Sequence, residues 1–425
     1  MRILWLMPIS TKYNKEIASQ FGYGGGWIES LQTMLENSDA IEQLGIIFSH
    51  PSDSQKFVKE KVIYYPIKKG KPANFISRII INWINKVNYI DEIKAVDSLI
   101  KDFNPDAIHV FGTESWPCHA IRITNIPSVV HLQGLLLPCL NAYLPVGFSK
   151  YDLIKSNWKE FIKGRGAWHN LRLLEKKSQF EYQSFKEISF YMGRTDWDES
   201  ITGFLSPKSR YFHVDEVLRD IFYETMPWKY NKSDRIIITS TLSDTIYKGL
   251  DLVIKTAKIL LKEGAQFEWR IIGVNEDSMT SSLFIKKLNL NYSFLNVHFL
   301  GIKKANEIVQ LLSETTIYVH TSYIDNSPNS LCEAQLMGVP VIATGVGGVP
   351  SLIENEVTGF LVPSNDPYFL ASKINQIYNN KFDLSKISKQ TRESAQKGHS
   401  KKDILNQVLK IYDYLISVNT SQLQS

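Results

Sequence analysis

The sequence predicts an α/β protein made of two Rossmann-like domains, each a doubly wound parallel sheet. Three observations lead there. The chain has 425 residues, too many for one hydrophobic core and suited to two. Short apolar runs alternate with helical patterns in both halves, as parallel strands covered on both faces require. Residues 316–362 carry three such runs with polar and glycine residues at their ends, where open α/β sheets bind ligands.

Residues 2–7 read as a buried strand. Their shortness and Arg2 inside the run favour a strand over a signal peptide. Gly22, Gly24, Gly25 and Gly26 form a glycine-rich loop before a helix at 27–35. No third glycine falls where a dinucleotide fingerprint needs it. Further strands are expected at 44–48, 62–66, 107–111, 128–131 and 188–192, with a helix at 90–103. His131 ends one of these strands, where an imidazole can bond a sugar hydroxyl or a phosphate. Glu114 follows a neighbouring strand, and Arg194 follows the last.

A first domain over 1–213 and a second over 214–399 are expected, with a turn-rich linker at 230–234. The second opens with a strand at 235–239, a polar loop, and Lys248-Gly249 before a helix at 250–262. Lys248 is placed to neutralise a diphosphate at that helix end. Strands at 268–272 and 297–300 run into Gly273 and Gly301.

After the strand at 316–320, Asp325 lies on a loop. Ser327 reads as the N-cap of the next helix and Pro328 as its first residue. Gly338 closes that helix and Pro340 blocks its continuation. The amides of Asn329, Ser330 and Leu331 then form an anion site at a positive helix end, and Glu333 sits on the second turn. The loop 344–348 with Gly347 and Gly348 offers backbone that a ligand can approach closely. Strands at 339–343 and 358–362 complete a six-stranded sheet. Ile404, Leu405, Val408, Leu409, Tyr412, Leu415 and Ile416 share one face of a final helix at 400–417, capped by Ser400. Residues from about 418 read as disordered.

Composition narrows the functional classes. Apolar residues make up 44% and the net charge is +5, so the chain is globular. The modest charge and the lack of a recognised motif argue against a nucleic-acid partner. Cys118, Cys139 and Cys332 lack metal-ligand spacing and cannot all pair, which suits a reducing, cytoplasmic setting. No run of 18 apolar residues is present. Segments 68–86 and 150–177 mix lysine and arginine with aromatic residues, a pattern that suits peripheral docking on an anionic membrane face.

Asp325, Glu333-Ala334, Gly338-Val339-Pro340 and Gly347-Gly348 fall in a specific order and spacing. The stretch resembles the C-terminal signature of family 4 retaining glycosyltransferases (glycosyltransferases group 1), which have the GT-B fold: two Rossmann-like domains facing across a cleft, with the last helix returning to the N-terminal domain. The resemblance implies a hexosyltransferase that moves a sugar from a UDP- or GDP-linked donor to a hydroxyl of a glycan or lipid-linked acceptor. The setting it implies is surface polysaccharide assembly at the inner membrane face. Asp325, His131 and Lys248 take the catalytic positions. Gly25, Gly26, Ser243, Lys248, Gly301, Ser327, Asn329, Ser330, Leu331 and Glu333 take the donor-binding ones. No cofactor and no metal are expected. The family usually has Glu where Asp325 stands, and an Arg on the loop here formed by 240–247, which has none. Asp196-Trp-Asp198 looks like the metal-binding motif of the GT-A fold and is read as a decoy. The alternatives are a non-catalytic sugar-nucleotide-binding partner of a transferase, or a GT-B epimerase.

Overall fold

The computed structural model describes residues 1–10, 12–13, 26–51, 55–68, 75–84, 89–230, 235–289 and 295–423, without the side chains of 75–78 and 419–423. The chain divides into two units. The first holds 1–137, 173–217 and 399–425, and the second 138–172 and 218–398. Segment 138–172 therefore packs with the second half of the chain, although it lies within the 1–213 domain expected from sequence. Local contacts explain this. Asp152 pairs with Lys287 at 2.9 Å, and Phe148 meets the Phe284 ring edge-on with centroids 5.3 Å apart.

In the first unit, strands β1 (Arg2–Met7), β2 (Gln43–His50), β3 (Phe57–Lys59), β4 (Val62–Lys68), β5 (Ala107–Phe111), β6 (Ser128–His131), β7 (Phe190–Gly193) and β8 (Arg210–His213) form one sheet. Their order is β3-β4-β2-β1-β5-β6-β7-β8. All neighbours are parallel except β3, which runs antiparallel to β4 at the edge. The exposed β3 and the half-exposed β8 carry no continuous apolar run and are not foreseen from sequence. The strand expected at 188–192 forms at Phe190–Gly193.

Strand alternation divides the central β1 between two cores. Ile3, Trp5 and Met7 face a cluster that includes Trp27, Leu31 and Leu35 of the Gly26–Glu36 helix. Leu4 and Leu6 face the cluster of Val96, Ile100 and Phe103. The final helix, Lys401–Leu423, packs Ile404, Val408, Ile411, Tyr412 and Leu415 into the Trp5 cluster. It continues past residue 418, where sequence suggested disorder. Tyr412 fixes its register. The hydroxyl accepts from Trp5 Nε1 at 3.1 Å and lies 2.6 Å from His109 Nδ1.

In the second unit, β9 (Ile236–Thr241), β10 (Phe267–Ile272), β11 (Val297–Gly301), β12 (Ile317–His320), β13 (Val341–Thr344) and β14 (Phe360–Val362) form a parallel sheet in the order β11-β10-β9-β12-β13-β14. Counted along the chain this is 3-2-1-4-5-6, the doubly wound order. The winding reverses between β9 and β12, which opens a crevice at their C-terminal ends. Both units thus show the two α/β sheets expected.

Tyr412→Phe should leave two buried ring nitrogens without their partner, at roughly 1–3 kcal/mol each. Urea unfolding should show that loss; an unchanged midpoint would mean that packing alone holds the final helix.

Candidate functional site

The second unit brings together residues from the two loops that leave β9 and β12. These strands are neighbours, with Ile317 beside Ile238 and Tyr318 beside Thr239. Lys248 therefore reaches Asp325, Nζ to Oδ2 at 2.7 Å. Three further contacts zip the loops together. Tyr323 N donates to Tyr247 O at 2.8 Å and Thr321 Oγ1 to Lys248 O at 3.1 Å. Gly249, at φ +78°, comes so close that a Cβ would lie 1.9 Å from Thr321 O. The expected helix follows at Leu250–Lys262.

Asp325 is largely buried, and one of its oxygens gathers three groups. Oδ2 receives Lys248 and, at 3.0 Å, the Ser322 hydroxyl, and His320 Nε2 lies 3.1 Å away. Burial opposes its charge, but the Lys248 ammonium and His320 outweigh it and hold the carboxyl well below the usual range. Asp325 is therefore an anion at any physiological pH. Its backbone is pinned from below. Gly348 N donates to Asp325 O at 3.0 Å, and a Cβ on Gly347 (φ +54°) would lie 2.0 Å from the same oxygen. The glycine pair thus serves the Asp325 backbone.

The next helix spans Asn329–Met337, and Pro328 is its N-cap with ψ 113°. Ser327 and Pro328 are thus one position off the expected roles. The Pro328 carbonyl already accepts from Leu331 N at 2.9 Å and Cys332 N at 3.2 Å. That removes Leu331 from the expected anion site. The amides of Asn329 and Ser330 remain, with no acceptor among the described residues. Ser327 Oγ lies 3.7 Å from Cys332 Sγ.

Glu333 is buried at 5% exposure and meets a cation that sequence did not single out. Arg219 Nε donates to Oε1 and Nη2 to Oε2, both at 2.7 Å. Arg219 lies in the crossing segment, where neither periodicity nor motif marks it. His320 was the more legible omission, since it ends the strand before Asp325.

The other expected donor residues make local contacts of their own. Ser243 is exposed and donates to Thr245 Oγ1 at 3.3 Å within its own turn. Its neighbour Asp244 accepts from Met279 N and Thr280 N at 3.2 and 2.8 Å, which ties the loop to the Met279–Leu288 helix. Gly301 ends β11, its carbonyl accepting from Gly273 N at 2.7 Å.

In the first unit, His131 ends β6 and is buried. Its Nδ1 lies 3.2 Å from His109 Nε2, and the Trp27 ring edge is 4.8 Å away between centroids. Burial, with His109 and Arg194 nearby, pushes its pKa down and keeps the ring neutral. His131 Nε2 has no partner among the described residues. Burial raises the Glu114 carboxyl to about 7. Arg194 lies over the Trp27 ring at 4.5 Å and 3.4 Å from Glu216. Gly24 and Gly25 lie outside the described residues, and Gly26 opens the Gly26–Glu36 helix. Asp198 accepts from Arg194 N, Thr195 N and the Tyr211 hydroxyl and closes a capping box with Thr195, so local structure accounts for this half of Asp196-Trp-Asp198. Among the described residues no group of three His, Cys, Asp or Glu could hold a metal.

Gly249→Ala should force the two site loops apart, costing roughly 1–3 kcal/mol from backbone conformation alone and more from the clash. Thermal unfolding should show it; an unchanged midpoint would mean the loops are not held as described.

Comparison with known proteins bears on the same stretch. Residues 223–397 match the family Glycosyl transferases group 1. The amylovoran biosynthesis glycosyltransferase AmsK of Erwinia amylovora is 31% identical over 144 residues, 32% of this chain and 34% of that protein. The first curated relatives are matched over only 34–40% of their own length. Among solved structures, sucrose-phosphate synthase from Thermosynechococcus elongatus superposes with a TM-score of 0.72 at 16% identity, over 98% of this chain and 100% of its own. Anabaena Alr3699/HepE, in complex with UDP and glucose, gives 0.62 at 16% identity, over 97% and 99%. These likenesses show the fold. The chain has the GT-B fold, and the match to the glycosyl transferases group 1 family falls on its residues 223–397.

Proposed function

We propose that the chain is a retaining glycosyltransferase of family 4, moving a hexosyl group from a nucleotide-diphosphate donor to a hydroxyl of a glycan or lipid-linked acceptor. The observation that carries this reading is the Lys248–Asp325 pair at the switch point of the second sheet. The leaving diphosphate gains negative charge as the glycosidic bond breaks, so fixed positive groups lower the barrier. Lys248 and the amides of Asn329 and Ser330 supply them without a metal. Asp325, ionised throughout, lies beside the cationic sugar and bonds its hydroxyls. Glu333 takes the ribose hydroxyls as an acceptor. No side-chain nucleophile is assigned. The family resemblance implies attack on the face from which the leaving group departs, the acceptor proton passing to the leaving phosphate. Support comes from the Anabaena neighbour, which binds UDP and glucose, and from AmsK, which is named for amylovoran biosynthesis. Surface polysaccharide is the proposed product class.

A thermal-shift panel of UDP, GDP, ADP, CMP and NAD, with and without EDTA, tests the reading. A ligand at 100 times its Kd should add about 2.7 kcal/mol. The expected outcome is a selective, EDTA-insensitive shift with one nucleoside diphosphate, which Lys248→Ala weakens more than it weakens the bare nucleoside. Slow donor hydrolysis by the purified chain should accompany it and would exclude a non-catalytic partner. No shift with any of the five overturns the proposal.

We also propose that the acceptor is met at an anionic membrane face. Among the described residues no helix is long and apolar enough to cross a membrane. The helices Lys150–Ser156 and Trp158–Ile162 instead expose Tyr151 (67%), Trp158 (58%) and Ile162 (56%) beside exposed Lys155 and Lys159. Lys155→Glu with Lys159→Glu should release the protein from anionic liposomes in a flotation assay. Equal flotation would make these helices ordinary solvated surface.

A further inference from the structure

We infer that Arg219 is a positioning residue for nucleotide recognition: its guanidinium fork fixes the Glu333 carboxylate in the orientation that receives the ribose hydroxyls of the donor. This rests on the transferase reading and deepens it at the same site.

Glu333 lies among buried neighbours, from Leu331 through Met337. A lone carboxylate there would be driven to take up a proton and would cease to be a pure acceptor. Arg219 supplies the compensating charge. It also supplies geometry that a point charge would not. Two nitrogens of one planar group meet the two oxygens of one carboxylate, each at 2.7 Å. This two-point contact fixes the plane of the carboxylate and takes one acceptor direction on each oxygen. The other directions are then set in space, one per oxygen. A vicinal diol presents two donors at a spacing that one carboxylate can receive.

Arg219 is itself held. It precedes the Asp220–Glu224 helix, its carbonyl accepts from Phe222 N at 3.0 Å, and its guanidinium lies 4.8 Å from the Phe222 ring centroid. Phe222 is fully buried, so the ring is a fixed platform. Arg219 remains 31% exposed on its side chain, so the pair borders solvent and is not sealed in the core. The helix end with the amides of Asn329 and Ser330 begins one turn before Glu333. Phosphate-facing and ribose-facing groups thus come from the same helix.

The test compares the nucleoside diphosphate that the wild type selects with its 2′,3′-dideoxy form, by titration calorimetry on the full chain. Wild type should prefer the ribose form by about 10- to 100-fold, the size expected for hydrogen bonds to a charged group. Arg219→Met should bring the ratio below about 3-fold, as Glu333→Gln does, while affinity for the dideoxy form stays within about 2-fold. Arg219→Lys keeps the charge and loses the fork, so it should also lose most of the ratio while folding normally. It decides the matter should Arg219→Met fail to fold. A wild-type ratio in Arg219→Lys would make the pair a structural ion pair and overturn the inference. Tighter binding of the ribose form by either variant would make Arg219 a competitor for Glu333, and would overturn it too. A wild type that binds the diphosphate without preferring ribose sinks this inference alone. A wild type that binds no nucleoside diphosphate sinks the transferase reading and this inference with it.

Discussion

Two carboxylates buried at the C-terminal end of one sheet need two cations, and much of the second unit is arranged to supply them. Asp325 and Glu333 flank the start of a single helix. Each would be costly to bury as an isolated anion. Lys248 reaches Asp325 from the loop after β9, and Arg219 reaches Glu333 from the crossing segment before that strand. The cations come from parts of the chain 77 and 114 residues away. Only the doubly wound order, with β9 and β12 side by side, lets the first of these meet.

The backbone follows from that pairing. Lys248 and Asp325 sit at a salt-bridge distance because their loops run in contact, and these loops run in contact because Gly249 carries no side chain; Gly347 likewise lets the loop after β13 close on Asp325. Both glycines have positive φ, so other residues would be strained there as well as crowded. The same packing lowers the Asp325 pKa, because it places Lys248 and His320 against the carboxylate and their pull outweighs burial. Rigidity here has a functional reading. Under the transferase reading, groups held in place before the donor arrives do not have to reorganise as charge develops.

Most of the fold was legible because its signals are local. The parallel strands of the second unit are short apolar runs with polar ends, and all six stand within two residues of where the sequence places them. Edge strands β3 and β8 were not legible, because an exposed strand needs no apolar run. The site divided along the same line. Asp325, Lys248 and Glu333 stood out by motif and spacing. Arg219 did not, since a long-range ion pair leaves no trace in a neighbouring sequence window. The helix start went astray by one residue because proline is compatible with both N1 and the cap, and its ψ of 113°, outside the helical range, is what makes Pro328 the cap. The assignment of 138–172 to the second unit depends on contacts such as Asp152 with Lys287, which are equally silent in sequence.

The two departures from the pattern of the family that the sequence resembles belong to one electrostatic arrangement. Where the resembled family has a longer Glu, Asp325 is short and bonded through one oxygen to Lys248 and Ser322, with His320 Nε2 3.1 Å from the same oxygen. The loop 240–247 lacks the arginine usual in the resembled family, and its Asp244 is spent on the amides of another helix. Under the transferase reading, local positive charge for a diphosphate rests on Lys248 and two helix amides, and Lys248 already has a counter-ion. Under the transferase reading, an arriving diphosphate must share that ammonium with Asp325. The sharing weakens the ground-state grip on the donor. It weakens the transition-state grip less, because the sugar becomes cationic beside Asp325 while the leaving group becomes more anionic beside Lys248. An ion pair that is a cost to donor binding then becomes, as the bond breaks, a pair of matched charges for the two separating halves of the donor.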